Sequence, residues 1–184
     1  DIAYLRCIPN IILMTPSDEN ETRLLLTTAY EYKGPAAVRY PRGTGPNSTV
    51  EFALESLEIG KAKLVREGKS NIIFLNFGAL LDEAEIVSKE MDLTLIDMRF
   101  VKPLDEDMLH KYLNNADMFV SLEDGSISGG AGSAVQEYCG RNNIIIKSLL
   151  FGIPDEFIDH ASREEMLDQA GLSATKILDK LKTL

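Results

Sequence analysis

From Glu58 to the C-terminus, short apolar runs alternate with stretches of helical period, and this alternation limits the possible folds more than any other feature. Strands are expected at 59–66, 71–76, 93–97, 118–122 and 144–149. Helices are expected between and after them, at about 79–90, 105–114, 130–141, 162–168 and 172–182. Neighbouring parallel strands need a long crossover, and a helix usually supplies it. Strands alternating with helices therefore predict an α/β fold, a mostly parallel sheet flanked by helices. The first run, Ile59 to Arg66, alternates apolar and basic residues and reads as an edge strand with one wet face.

The front of the chain follows the same logic on a smaller scale. Residues 11–14 form a continuous apolar run that reads as a buried strand and ends at Thr15-Pro16. Ser17 or Asp18 can cap the next helix, with Glu21 in capping-box position after Asp18. That helix is expected to run to about Tyr32, burying Leu24, Leu25, Ala29 and Tyr32. Lys33-Gly34-Pro35 stops it, and a buried strand over 36–40 follows. A single β-α-β unit cannot cover both faces of its own sheet, so 1–42 reads as a remnant of a larger domain. Residues 43–57 are turn-rich and aperiodic, and form the best linker. Residues 58–184 make the second domain. Dense motifs begin directly at Asp1, so the sequence reads as cut from something longer, with a processed N-terminus as the alternative.

Composition narrows the function classes. At 184 residues, 45 % hydrophobic and 26 % charged, the chain suits ordinary globular packing. A formal charge of −10, without a Lys/Arg cluster, argues against nucleic acid and against anionic membrane surfaces. No apolar run reaches membrane-spanning length, and no signal segment opens the chain. Cys7 and Cys139 lie far apart without CxxC spacing, which fits buried reduced thiols in a cytoplasmic protein.

Several motifs could carry chemistry. The glycine-rich turn Gly125 to Gly132 between a strand and a helix could cradle a phosphate on free N–H groups. Yet Val135 stands where a dinucleotide fingerprint needs its third glycine or alanine, and there is no Walker lysine. The favoured reading is a tight turn with close helix-to-strand packing. Glu123 and Asp124 follow a strand, and Asp97 ends another near Arg99; ion pairs and caps at the sheet edge are the favoured reading over an acid/base pair or metal site. His110 and His160 are isolated and read as structural. The stretch Gly34 to Gly43, Gly-Pro-Ala-Ala-Val-Arg-Tyr-Pro-Arg-Gly, is the most suggestive. It delivers Arg42 to a strand end, where ligands bind in open α/β sheets. A guanidinium there, followed by glycine, suits a phosphate or carboxylate. A plain surface arginine in a turn is the competing reading.

The segments Tyr4–Pro9, Met14–Glu21, Ala37–Gly43, Asp97–Asp105, Leu122–Ser133 and Gly152–His160 closely resemble the 1-deoxy-D-xylulose-5-phosphate synthase family. These are thiamine-diphosphate-dependent members of the transketolase-like group that open one isoprenoid route. The resemblance spans nearly the whole chain and implies a C-terminal section: a transketolase C-terminal-like domain preceded by part of the pyrimidine-binding domain.

The resemblance further implies a parent transferase that condenses pyruvate with D-glyceraldehyde 3-phosphate and releases carbon dioxide. Its cofactors are thiamine diphosphate and Mg. The family's diphosphate motif, activating glutamate and histidine-bearing motif are not found in this sequence. No catalytic, cofactor-binding or metal residue is therefore expected here, and no cofactor is expected to bind this section alone. Arg42 is expected to bind the aldehyde's phosphate, with Arg39 and Tyr40 as structural support. A homodimer is expected. The glycine-rich turn in such relatives is structural or lies near the subunit contact. The alternatives are a transketolase proper, the β subunit of an α-keto-acid dehydrogenase E1 component, or a non-catalytic dimerisation module.

Overall fold

The computed structural model describes residues 1–46 and 48–184, leaving Asn47 of the expected linker outside the described residues. Two sheets organise the chain. The smaller holds β1 (Ile12–Met14), β2 (Ala36–Val38) and β6 (Phe100–Lys102), in the order β2-β1-β6. The larger holds β3 (Lys63–Arg66), β4 (Ile72–Phe77), β5 (Thr94–Asp97), β7 (Met118–Ser126) and β8 (Lys147–Ile153), in the order β3-β5-β4-β7-β8. Apart from β3, which runs antiparallel to β5, the larger sheet is parallel, as the alternation predicts.

The central strand β4 shows why both faces are covered. Ile73, Leu75 and Phe77 join one apolar cluster with Leu109 and Leu113 of α4 (Glu106–Leu113) and Val135 and Tyr138 of α5 (Ala131–Arg141). Phe74 joins the opposite cluster with Ala84 and Val87 of α3 (Leu81–Glu90) and Ile177 and Leu181 of α7 (Ala174–Leu181). Period-two alternation with apolar residues on both sides gives a doubly covered strand. One short helix, α6 (Arg163–Gln169), lies on the surface with no buried residue, fixed by a complete Ser162–Glu165 capping box.

In the front region, α2 (Glu19–Glu31) starts at Asp18, whose carboxylate accepts the Glu21 N–H at 2.7 Å. Only half of the expected capping box forms, because the Glu21 side chain pairs with Arg99 instead. Leu25 packs with Ile12, Met14 and Phe100, while Leu13 points the other way into the large core. The two regions therefore share packing through successive residues of one strand.

Several sequence expectations change, among them the burial expected of both thiols, since Cys139 is buried and Cys7 is exposed. The strand expected as buried over 36–40 is three residues long and lies at a sheet edge, with Ala36 exposed and Ala37 and Val38 half-buried. The 59–66 strand shortens to β3, since Gly60 takes a positive φ of 76° in a turn before it. The 144–149 strand shifts to β8, with Ile145 fully exposed and Ile144 and Ile146 packed on the first cluster from the preceding turn. A short helix α1 (Ile2–Leu5) and strand β6 were not anticipated. The β5–β6 corner uses Arg99 in the left-handed region, at φ 56°, to carry the chain from one sheet to the other. Among the described residues, no helix is long and apolar enough to cross a membrane.

Candidate functional site

Strand ends from both sheets converge on one cavity of about 370 Å³. After β1, the chain supplies Pro16, Ser17 and Asp18; after β2, it supplies Tyr40 to Pro46; after β4, Ala79 and Asp82; and α6 adds Arg163. The carboxyl ends of parallel strands are where α/β folds gather ligands, because the loops there are free to vary.

Arg42 lies on this cavity wall, exposed. The strand that carries it is registered by the Arg39 N–H donating to the Met14 carbonyl at 2.8 Å. Gly43 follows with φ 137°, a conformation that side-chain-bearing residues rarely adopt. The turn that presents Arg42 thus needs its glycine. Arg39 faces elsewhere: its guanidinium bonds the Asp124 carboxylate and the Asp124 carbonyl (3.1 Å), with Asp1 at 3.3 Å. Tyr40 is mostly exposed at the rim.

Behind the cavity, a buried polar cluster ties the two regions. Asp97, fully buried at the end of β5, accepts from Ser17 Oγ at 2.8 Å and from Asn76 Nδ2 at 3.3 Å. Burial pushes its carboxyl up to about 6, a rise reinforced by nearby Glu21 and opposed by the Ser17 and Asn76 hydrogen bonds and by Arg99. Arg99 itself bonds Glu21 at 2.5 Å. These contacts join residues about eighty positions apart, and sequence spacing carried no sign of them beyond the proximity of Asp97 and Arg99.

The glycine-rich turn does not offer its N–H groups to a ligand. Glu123, buried, accepts from Ala131 N–H at 2.9 Å and Gly132 N–H at 3.0 Å, occupying the start of α5. A Cβ at Gly130 would collide with this carboxylate, so the glycine permits the close approach. Burial pushes the Glu123 carboxyl up, while the two N–H bonds and Arg39 oppose that rise. Asp124 is paired to Arg39. Both acids therefore sit in caps and ion pairs, and this turn does not fit a diphosphate group. His110 is exposed and 2.9 Å from Asn114 Nδ2; His160 is exposed in the loop before α6. Among the described residues, no group of three His, Cys, Asp or Glu could hold a metal ion.

Comparison with known proteins places this geometry in context. The family model described as "Transketolase, C-terminal domain" matches residues 60–177, and "Transketolase, pyrimidine binding domain" matches residues 1–47. A 1-deoxy-D-xylulose-5-phosphate synthase from Hahella chejuensis is 50 % identical over 99 % of this chain and 28 % of its own length. Another from Stutzerimonas stutzeri is 51 % identical over 96 % of this chain, again 28 % of its own length. The chain thus spans little more than a quarter of these relatives. A split-gene transketolase, titled an inactive beta4 tetramer, superposes with a TM-score of 0.84 at 24 % identity, covering 99 % of this chain and 59 % of that one. The Campylobacter jejuni transketolase superposes at TM-score 0.68 and 14 % identity, over 99 % of this chain and 27 % of that one. At such identities the superpositions show the fold.

Proposed function

The chain belongs to the transketolase family, through its C-terminal domain, and on that premise we propose that it is the C-terminal section of a 1-deoxy-D-xylulose-5-phosphate synthase. The parent protein would condense pyruvate with D-glyceraldehyde 3-phosphate to 1-deoxy-D-xylulose 5-phosphate, releasing carbon dioxide. The observation that carries this reading is identity near 50 %, over almost the whole chain, to proteins of that name. In this reading residues 1–42 belong to the pyrimidine-binding domain, 43–57 form the linker, and 58–184 form the C-terminal domain.

The division of labour follows from what the residues can bind. Thiamine diphosphate, held with Mg by other parts of the synthase, supplies the carbanion chemistry. The N–H groups at the start of α5 are taken by Glu123, so no role toward either group is drawn from that turn. What they can do is hold an anion and a fixed geometry. Arg42 stands on the cavity wall and binds the phosphate of the aldehyde, remote from the reacting carbon. Its contact then stabilises ground and transition states alike. The section on its own is inactive and does not hold the cofactor; it contributes assembly into a homodimer and phosphate binding.

The test is Arg42→Ala in the full-length protein. KM for the phosphorylated aldehyde should rise far more than KM for pyruvate. Loss of a charge-assisted bidentate contact predicts a fall in kcat/KM of roughly 30- to 150-fold. Arg42→Lys should recover only part, because lysine keeps the charge and loses the fork. An unchanged aldehyde KM in a normally folded variant would remove Arg42 from the site.

A further inference from the structure

Six of the eight arginines pair with a carboxylate: Arg6 with Glu137, Arg23 with Glu51, Arg39 with Asp124, Arg66 with Asp92, Arg99 with Glu21 and Arg141 with Glu106. Among the described residues, the two that form no ion pair are Arg42 and Arg163. They come from different regions of the fold, yet both line the same 370 Å³ cavity. We propose that Arg163 is a second binding residue for the substrate's phosphate, acting with Arg42 as a two-armed clamp across the seam between the two sheets. The proposal rests on the phosphorylated-substrate reading above and adds a residue that no sequence motif marked.

Three features support the assignment. Arg163 is held in place: its Nη2 donates to the Ala79 carbonyl at 3.3 Å, which fixes the side chain over the β4–α3 turn and leaves other N–H groups uncommitted. Two arginines on the wall of one cavity suit an anion that carries two charges and can engage both forks. The nearby acids do not replace such an anion. Asp18 is engaged as the cap of α2, and Glu19 accepts the Ser48 N–H at 3.1 Å. Asp82 is solvent-exposed in the first turn of α3. Ser17 and Thr22 line the same wall, with their hydroxyls donating to Asp97 and to the Asp18 carbonyl. A monoanionic carboxylate, such as that of pyruvate, would need only one of the two forks. The pair therefore favours the phosphate.

The experiment uses the full-length protein with Arg163→Met and Arg163→Lys, beside Arg42→Ala. Arg163→Met should raise KM for D-glyceraldehyde 3-phosphate about tenfold. KM for pyruvate should stay within about twofold. Turnover of unphosphorylated D-glyceraldehyde should be the same in variant and parent. Inorganic phosphate, used as a competitor of the aldehyde phosphate, should inhibit the variant about tenfold more weakly. Arg163→Lys should restore part of the lost affinity, and it stands in if the methionine variant fails to fold. If Arg42→Ala raises the aldehyde KM and neither Arg163 variant does, the clamp is wrong and the phosphate-site reading survives. If none of the three moves it, that reading fails as well. A rise in pyruvate KM alone would reassign Arg163 to the carboxylate. Equal effects on both aldehydes with a lowered Tm would make it a mere anchor for α6.

Discussion

The two sheets are held by different forces. In the five-stranded sheet, β4 is buried on both faces and its order comes from apolar contacts with α3, α4, α5 and α7. The three-stranded sheet has a small apolar cluster of Ile12, Met14, Leu25 and Phe100, an exposed edge at β2, and a third strand lent by the other region. It is tied down by polar contacts that cross the seam: Ser17 to Asp97, Arg99 to Glu21, Arg39 to Asp124, and Lys102 Nζ to the Arg6 and Ile8 carbonyls at 2.9 and 2.8 Å. Apolar burial is indifferent to pH, whereas buried charge is not. The difference teaches that the candidate cavity sits where the fold depends on electrostatics, between one self-covered layer and one that leans on it.

The largest contrast should come from truncating each sheet. Phe74→Ala empties a fully buried site on the central strand and should cost about 3–5 kcal/mol of unfolding free energy. Val38→Ala, on the half-buried edge strand β2, removes two groups that are only partly shielded and should cost about 1 kcal/mol. Urea denaturation of the 184-residue chain measures both. Equal losses would mean that the edge strand is as integral to the core as β4, and the comparison would collapse.

The next contrast is with pH. Asp97 holds its proton more tightly when folded, with a pKa raised from 3.8 to about 6. The folded chain then carries more protons than the unfolded one between these values, so stability falls as pH rises through that window. The Asp97 contribution is fully present below about pH 4, is lost by roughly pH 6 to 7, and amounts to roughly 3 kcal/mol. Asp97→Asn removes the titration and keeps the side chain's shape. The variant should gain on the parent by that amount as pH goes from 4 to 7, seen in paired denaturation curves. Parallel pH profiles would show that the seam carries no such strain.

What the sequence disclosed follows the same division. The β–α alternation, the cap at Ser17 or Asp18 and the stop at Lys33–Pro35 are local signals, and the structure has elements at each. The errors came where tertiary context outweighs pattern. Ile144 to Ile146 look like a strand, yet Asn143 turns the chain at φ 55° and Ile145 points to solvent. Strand β6 escaped notice because three residues after a left-handed Arg99 show no periodicity of their own. The same holds at the cavity. Arg42 was visible through its strand-end glycine turn, but Arg163 lies far along the chain in a helix start that resembles any other, and only folding brings it to the same wall. The Ser17–Asp97 and Arg99–Glu21 bonds are equally non-local, so no window of sequence contains both partners.

The smallest effect separates the two kinds of helix start. Asp18 and Ser162 perform the same local task, each accepting an N–H in the first turn of its helix. Their surroundings differ: α2 fully buries Leu25, whereas α6 has no fully buried residue and rests on the core through half-buried Leu167. Loss of a cap costs about 1 kcal/mol. Asp18→Ala should therefore lower global stability by about that much, since α2 packs Leu25 into the apolar cluster of the small sheet. Ser162→Ala should leave the unfolding midpoint unchanged and speed amide exchange in α6 alone, because that helix opens locally. Hydrogen exchange by residue, beside denaturation midpoints, reads both outcomes. A global loss from Ser162→Ala would show that α6 is coupled to the core. Purely local exchange from Asp18→Ala would show that α2 is held by packing rather than by its cap. In the expected case, the helix start beside Arg42 is fixed by the same contacts that join the two sheets, so the geometry of the anion site and the stability of the seam are set together.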